Sequence, residues 1–264
     1  MLLALVAAAL AGTTAGLSRS FPAEGITEIS LEQSGGSVQV VTDPGIGLVE
    51  ALGAPTQWEE GCLVDAQQHE HRIHIEVRHS AGRKSCRVDW RLVIPPAVSL
   101  TLRLGGGGAQ VTGLSGPLDI ELASGDLVLE DVTGDLRARV GTGAVRGNFS
   151  GRVAAVEVAT GGVHLEGMVH PLDVAVGLGN IGLTWGLAPR GQTRAITGAG
   201  SLTLLLPPAT PIALIWERTI GPRKVMLPED DNASTRFVVG AGIGSVLVDD
   251  LASERGRKRA RVHR

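Results

Sequence analysis

From Gly105 onward, apolar and polar side chains alternate in short runs, and the runs restart at a fixed interval. Leu118, Ile120 and Leu122 take every second position; so do Leu136, Ala138 and Val140, then Ala154, Val156 and Val158, then Leu172, Val174 and Val176. A period of two puts one set of side chains on one face of an extended strand and the intervening set on the other. These runs predict strands with one buried face. A shorter run of the same kind precedes each of them: Ala109 and Val111, Leu127 and Leu129, Val145 and Gly147, Val163 and Leu165. Ile181 and Leu183, then Leu202 and Leu204, continue the series.

The interval is 18 residues: four units, GGGGAQVTGLSGPLDIEL, ASGDLVLEDVTGDLRARV, GTGAVRGNFSGRVAAVEV and ATGGVHLEGMVHPLDVAV, follow without a gap from Gly105 to Val176. A fifth unit starts at Gly177 and runs a few residues longer, and a sixth starts at Gly198. The third position of every unit is glycine: Gly107, Gly125, Gly143, Gly161, Gly179 and Gly200. Glycine enters φ > 0 freely, so the column marks a repeated turn. Two strands and two turns per unit describe one rung of a single-stranded, β-helix-like solenoid. One rung alone buries too little to offset its ordering, so rungs must pair along their edges.

The outward positions support stacking. Glu121, Arg139 and Glu157 fall in one column with alternating sign, and Asp119 sits over Arg137; like charges in register would repel. The expected fold class is therefore all-β: a β-solenoid with regular rungs over 105–206 and irregular capping strands at both ends. An N-terminal cap region occupies 26–104 and C-terminal strands occupy 207–250. Within these, the 46–94 strands and the segment Phe237–Asp250 are the expected end caps. A twisted antiparallel sandwich of the same hairpins is the alternative.

Composition narrows the function classes. Hydrophobic residues reach 43% of 264, enough for a core. Aromatics are 3% with no tyrosine, which leaves little for base stacking or sugar platforms. The formal charge of −3 gives no global basic footprint for nucleic acid. Glycine, at 37 residues, follows no G-X-Y period, so collagen is excluded.

The first residues, MLLALVAAALAGTTAGLS, are apolar from Leu2 to Leu10 and then small and polar. The run is too short to span a bilayer and reads as a signal peptide, or an uncleaved N-terminal anchor, over residues 1–17. No positive charge precedes it. Export makes a disulfide between the only two cysteines, Cys62 and Cys86, the expected state, with two reduced buried thiols as the alternative. The chain ends in ERGRKRARVHR. From Leu251 on, six basic residues (Arg255, Arg257, Lys258, Arg259, Arg261 and Arg264) face one glutamate, a net of +5 that leaves −8 for the rest. Such a block reads as a disordered, solvated tail and a candidate contact with anionic lipid or polymer.

No motif carries chemistry. GLGNIG, Gly177 to Gly182, matches the dinucleotide fingerprint as a string, but a dinucleotide site needs it to open a helix, and here it shares the phase of the other turns. His69, His71, His74 and His79 raise the question of zinc, but His69 and His71 share one strand face only two residues apart and no third ligand is evident beside them; a solvated strand end is the expected reading. The turns have no aspartate column for calcium. No catalytic, cofactor or metal residues are assigned. Asn148 and Asn232 lie in glycosylation sequons that matter only in a eukaryotic host.

The order of motifs resembles a bacterial β-strand-repeat family of unknown function, the putative adhesins. It is carried by Gly36–Val40, by Val93–Pro96, by the turns Ser124–Leu129, Thr142–Gly147 and Thr160–Leu165, and by Leu204–Pro208. The resemblance covers residues 26–250 and implies an exported, envelope-associated β-solenoid, in some members linked to envelope-stress systems. It supplies no catalytic residues; the cysteine pair and the basic tail depart from it. The expected function is a non-catalytic scaffold or adhesin-like module of a bacterial envelope. Its expected partners are an envelope protein or polysaccharide, anionic lipid through the tail, or a second copy. A regulatory module of an envelope-stress system is one alternative; a carbohydrate-binding or polysaccharide-processing β-helix protein is another.

Overall fold

The computed structural model describes residues 17–80 and 86–252. The protein is all-β, a nearly closed, barrel-shaped sheet. The N-terminal third holds β1 (Leu17–Pro22), β2 (Glu28–Gln33), β3 (Val38–Thr42), β4 (Leu48–Gln57), β5 (Cys62–His69), β6 (Arg72–His79) and β7 (Arg87–Ile94). The repeats supply β8 (Ser99–Leu104), β9 (Ala109–Thr112), β10 (Leu118–Ser124), β11 (Leu127–Val132), β12 (Leu136–Phe149), β13 (Ala154–Met168), β14 (Asp173–Leu178), β15 (Ile181–Trp185), β16 (Gly191–Ala199) and β17 (Leu202–Leu206). Then come β18 (Ala213–Trp216), β19 (Arg223–Val225), β20 (Thr235–Ile243) and β21 (Val246–Asp250).

These strands form two parallel ladders. The first runs β6, β2, β8, β10, β12, β13, β14, β16, β20, β18. The second runs β7, β3, β9, β11, β12, β13, β15, β17, β21, β19. β12 and β13, 14 and 15 residues long, pass through the corner and belong to both. The register is the repeat itself: Leu118 pairs with Leu136, Leu136 with Ala154, and Ala155 with Asp173, each 18 residues on. Past β14 the offset widens, with Asp173 pairing Arg194, which accounts for the longer fifth unit. Every pairing in the repeat region is parallel, so the antiparallel sandwich is not what these residues build.

Equivalent apolar residues therefore stack. Leu31, Leu102, Ile120, Ala138, Val156 and Val174 form one buried column, and Val40, Val111, Leu129, Leu165, Leu183 and Leu204 another facing it, interrupted on β12 by Gly147 between Leu129 and Leu165. All belong to one continuous core. Its C-terminal part is filled by Trp185 edge-on to Phe237, with ring centroids 5.3 Å apart.

The glycine column extends beyond the repeats. In stacking order it reads Gly36, Gly107, Gly125, Gly143, Gly161, Gly179, Gly200, Gly244 and Gly221, all with positive φ. A Cβ on any of the last eight would lie 1.4–2.3 Å from the carbonyl oxygen of the glycine before it in the stack. The outermost level carries Val88 at this place, against which Gly36 packs, and has no parallel level beneath it.

Stacking order and chain order part at both ends. The β6/β7 level lies outside the β2/β3 level, so residues 26–42 form a regular level directly under β8 and β9. At the other end the chain passes from β16/β17 to the outermost level, β18/β19, and returns to insert β20/β21 between them. The segment Phe237–Asp250, expected as a cap, is thus an interior level. Its glycine turn and alternating apolar residues fit it to pack on both sides, whereas the four- and three-residue strands β18 and β19 do not. Both outer edges are blunted. β5 pairs antiparallel with β6, β4 with β7 and β1 with β4. At the far end the edges are short, and Arg223 lies 4.7 Å over the Trp216 ring. The sheet also starts at Leu17, ahead of residue 26.

Cys62, at the start of β5, and Cys86, just before β7, are joined by a disulfide with Cα atoms 5.8 Å apart. It ties the start of β5 to the start of β7, so the outer strand of the β5/β6 hairpin is fixed to the other half of the β6/β7 level.

Two predictions follow from this packing. Gly143→Ala puts a Cβ 2.0 Å from the Gly125 carbonyl oxygen at φ 145°. It is expected to cost more than about 3 kcal/mol in denaturant unfolding. Gly106→Ala, whose Cβ meets nothing nearer than 3.5 Å, is expected to stay within about 0.5 kcal/mol of wild type. Replacing both cysteines with alanine removes a cross-link of 24-residue separation. That loss is expected to lower stability by up to about 3.5 kcal/mol, read as a lower urea midpoint that reductant reproduces in the wild type.

Candidate functional site

On the outside of the first ladder, the residue before the last inward position of each strand forms a column. It reads Glu76, Glu32, Arg103, Glu121, Arg139, Glu157, Ala175 and Ile196 from β6 to β16. Two positions on, where the chain turns toward the second ladder, the residues are small: Gly105, Ala123, Gly141, Ala159, Gly177 and Gly198. A tall wall beside a receding corner makes a groove of about 1130 Å³ along the stack, lined by these residues. Its floor is the upper edge of Leu104, Leu122, Val140, Val158 and Val176. The groove is acidic at β6 and β2, alternating in charge through the middle, and apolar at β14 and β16.

The middle is tied by ion pairs between levels. Arg139 reaches Glu121 and Glu157, both at 3.4 Å, and Arg103 lies 3.8 Å from Glu121. One column inward, Asp119 is in register with Arg137. At the rim, Arg194 pairs with Asp173 at 3.4 Å and Glu217 at 3.5 Å. Glu121 and Glu157 are 45% and 67% exposed and are bridged by Arg139. A general acid is built on a desolvated carboxyl; these carboxylates are solvated and ion-paired, so the arrangement suits recognition of charge.

The second ladder carries a similar but shorter pattern. Arg146 pairs with Asp126, whose other oxygen accepts the Ala144 N–H at 2.9 Å. His164 contacts Glu166 at 3.0 Å.

The remaining sequence candidates fall elsewhere. The turn glycines form the corner spine, and the disulfide lies at the β5–β7 end. The tail cations Arg255, Arg257, Lys258, Arg259, Arg261 and Arg264, like the apolar run Leu2–Leu10, lie outside the described residues. GLGNIG spans the end of β14 and the start of β15 and so joins two strands. The histidines are spread around the β5/β6 hairpin. His74 Nδ1 meets Ser30 Oγ at 2.9 Å, His69 Nε2 meets Gln67 Oε1 at 2.7 Å, and His79 Nε2 meets the Glu60 carbonyl at 2.9 Å. No group of three metal-ligating side chains occurs among the described residues. Sequence reading identified the middle of the groove column but missed Glu32, Glu76 and Arg103. Arg103 lies 18 residues before Glu121 and carries the period itself, just ahead of the unit that starts at Gly105; Glu32 and Glu76 share the strand phase but are masked by unequal spacing.

The chain matches no family model and no curated protein. Two solved bacterial structures are similar at low identity. One, a putative cell adhesion protein from Clostridium sporogenes, is 12% identical over 89% of this chain and 99% of that one, with a TM-score of 0.33. The other, a putative adhesin from Bacteroides fragilis, is 9% identical over 90% and 98%, with a TM-score of 0.36. At such scores the likeness carries no argument about chemistry.

The ion-pair column makes one quantitative prediction. Glu121→Arg sets three guanidiniums on adjacent levels. It is expected to cost about 1 kcal/mol at low ionic strength, most of it recovered in 1 M salt, as read by denaturant midpoints in the two buffers.

Proposed function

We propose that this chain is an exported, non-catalytic β-solenoid that serves a bacterial envelope as a scaffold or adhesin-like interaction module. Its contact surface is the grooved face of the first ladder. The observation that carries the reading is the groove: it runs unbroken over eight levels, it is exposed, and its lining changes from acidic through alternating charge to apolar. A rigid stack presents such a face without induced fit, which favours recognition of an extended partner. The disulfide suits an oxidising compartment. The apolar run before β1 and the resemblance to the adhesin-like repeat family agree with export. The basic tail adds a contact for anionic lipid or polymer.

The test has three parts. Fusing residues 1–30 to an export-dependent alkaline phosphatase is expected to yield active reporter; an inactive reporter overturns the envelope reading. Purified protein is expected to cosediment with bacterial envelope fractions. Filling the groove with Ala123→Trp and Ala159→Trp is expected to weaken that binding at least about tenfold, equivalent to about 1.4 kcal/mol, with unchanged circular dichroism. Undiminished binding by the filled variant removes the groove from the contact surface. Deleting residues 251–264 is expected to lower retention on anionic vesicles and leave groove-dependent binding intact.

A further inference from the structure

We infer that the grooved face is a self-docking surface whose occupant is a second copy of this chain, its stack running antiparallel to the first. This rests on the reading of that face as the contact surface and names its partner.

The argument is the order of outward charges by level. β8 presents Arg103, β10 presents Asp119 and Glu121, β12 presents Arg137 and Arg139, and β13 presents Glu157. The signs read plus, double minus, double plus, minus. Reversing both the order and the signs reproduces the pattern, with its midpoint between β10 and β12. A two-fold axis along the strands at that midpoint lays β10 of one copy over β12 of the other and β8 over β13, at the same lateral positions. Across these four levels each charge then meets its opposite: Asp119 and Glu121 against Arg137 and Arg139, Arg103 against Glu157; on the outer levels Glu32 faces Ala175, Asp173 faces Ser30 and Glu76 faces Ile196. A two-fold axis along the stack would put β10 on β10 and β12 on β12, like charge on like charge. A parallel arrangement slipped by one level places Glu157 on the level of Asp173, again like on like, and does not close.

The extent of the face fits the same axis. Four levels lie on one side of the midpoint (β6, β2, β8, β10) and four on the other (β12, β13, β14, β16), which is the span of the groove. With levels about 4.8 Å apart and about five residues of about 3.3 Å per strand, each copy contributes about 600 Å². The total of about 1,200 Å² is at the lower bound of stable interfaces. Packed sheets lie about 10 Å apart, a gap that facing arginine and glutamate side chains span. The pairs already formed within one copy hold Arg139, Glu121 and Glu157 in place before docking. The charges thus set orientation and register, and on an interface at the lower bound of size they also decide whether it forms.

The test uses the full chain and two double variants. Arg137→Glu with Arg139→Glu makes both central levels negative, and Asp119→Arg with Glu121→Arg makes both positive. Sedimentation velocity of the wild type at about 100 μM, a concentration that populates micromolar complexes, is expected to give twice the monomer mass. Each double variant alone is expected to sediment as a monomer with a wild-type circular dichroism spectrum. An equimolar mixture of the two is expected to regain the dimer, since every facing pair at the two central levels is again opposite; the dimer of the wild type alone is what separates this arrangement from a two-fold along the stack, which sets like charge on like. Should a variant fail to fold, 1 M NaCl is expected to halve the mass of the wild type. A monomeric wild type, dimeric double variants, a mixture that stays monomeric, or a dimer indifferent to salt overturns the inference. A monomeric wild type whose envelope binding is still lost on filling the groove overturns the second copy as occupant and leaves the contact surface itself standing.

Discussion

Parallel hydrogen bonding holds successive levels of this chain about 4.8 Å apart, and at one corner that spacing leaves no room for a Cβ. A carbonyl oxygen from the level below occupies the place a side chain would take, from Gly36 through Gly221. The glycines are therefore the condition on which the levels stack. The stacking in turn creates the core, since each level alone would leave its aliphatic residues exposed on both open edges.

The same register that superposes leucines and valines also superposes charges. Equivalent outward positions on neighbouring levels are locked at close spacing, so a like pair would act against the stack at every step. Arg103, Glu121, Arg139 and Glu157 alternate, and Arg139 is shared between the carboxylates above and below it. Each such pair is exposed and worth little in isolation. Their collective effect is on register, because a slip by one level would bring arginine over arginine.

The two ends solve a problem the middle does not have. An open parallel edge would accept another strand. The chain covers one end with antiparallel strands and a disulfide, and at the other it folds a short, irregular level over its own last regular one. In both cases the outermost level is not the terminal segment of the chain. The grooved face of the first ladder stays uncovered along the stack, its lining graded from acidic to apolar.

Much of this was legible in the sequence. The 18-residue period, the alternation of Leu118, Ile120 and Leu122 and their equivalents, the glycine column and the Glu121–Arg139–Glu157 alternation are local patterns, and strand geometry converts them directly into faces and turns. The swapped levels at the ends were not legible. Gly36, Gly221 and Gly244 belong to the same column as Gly107, but they are separated from it by insertions that break the period, and only contact between backbones reveals their place. The acidic end of the groove was hidden for the same reason: Glu32 and Glu76 join the column of Arg103 and Glu121 from distant parts of the chain. The sequence by itself thus determined what each level is made of, because side-chain alternation and turn conformation are properties of consecutive residues. The order of the levels, and the surface they share, was decided by the tertiary structure alone, because hydrogen bonding between levels joins residues without regard to their distance along the chain.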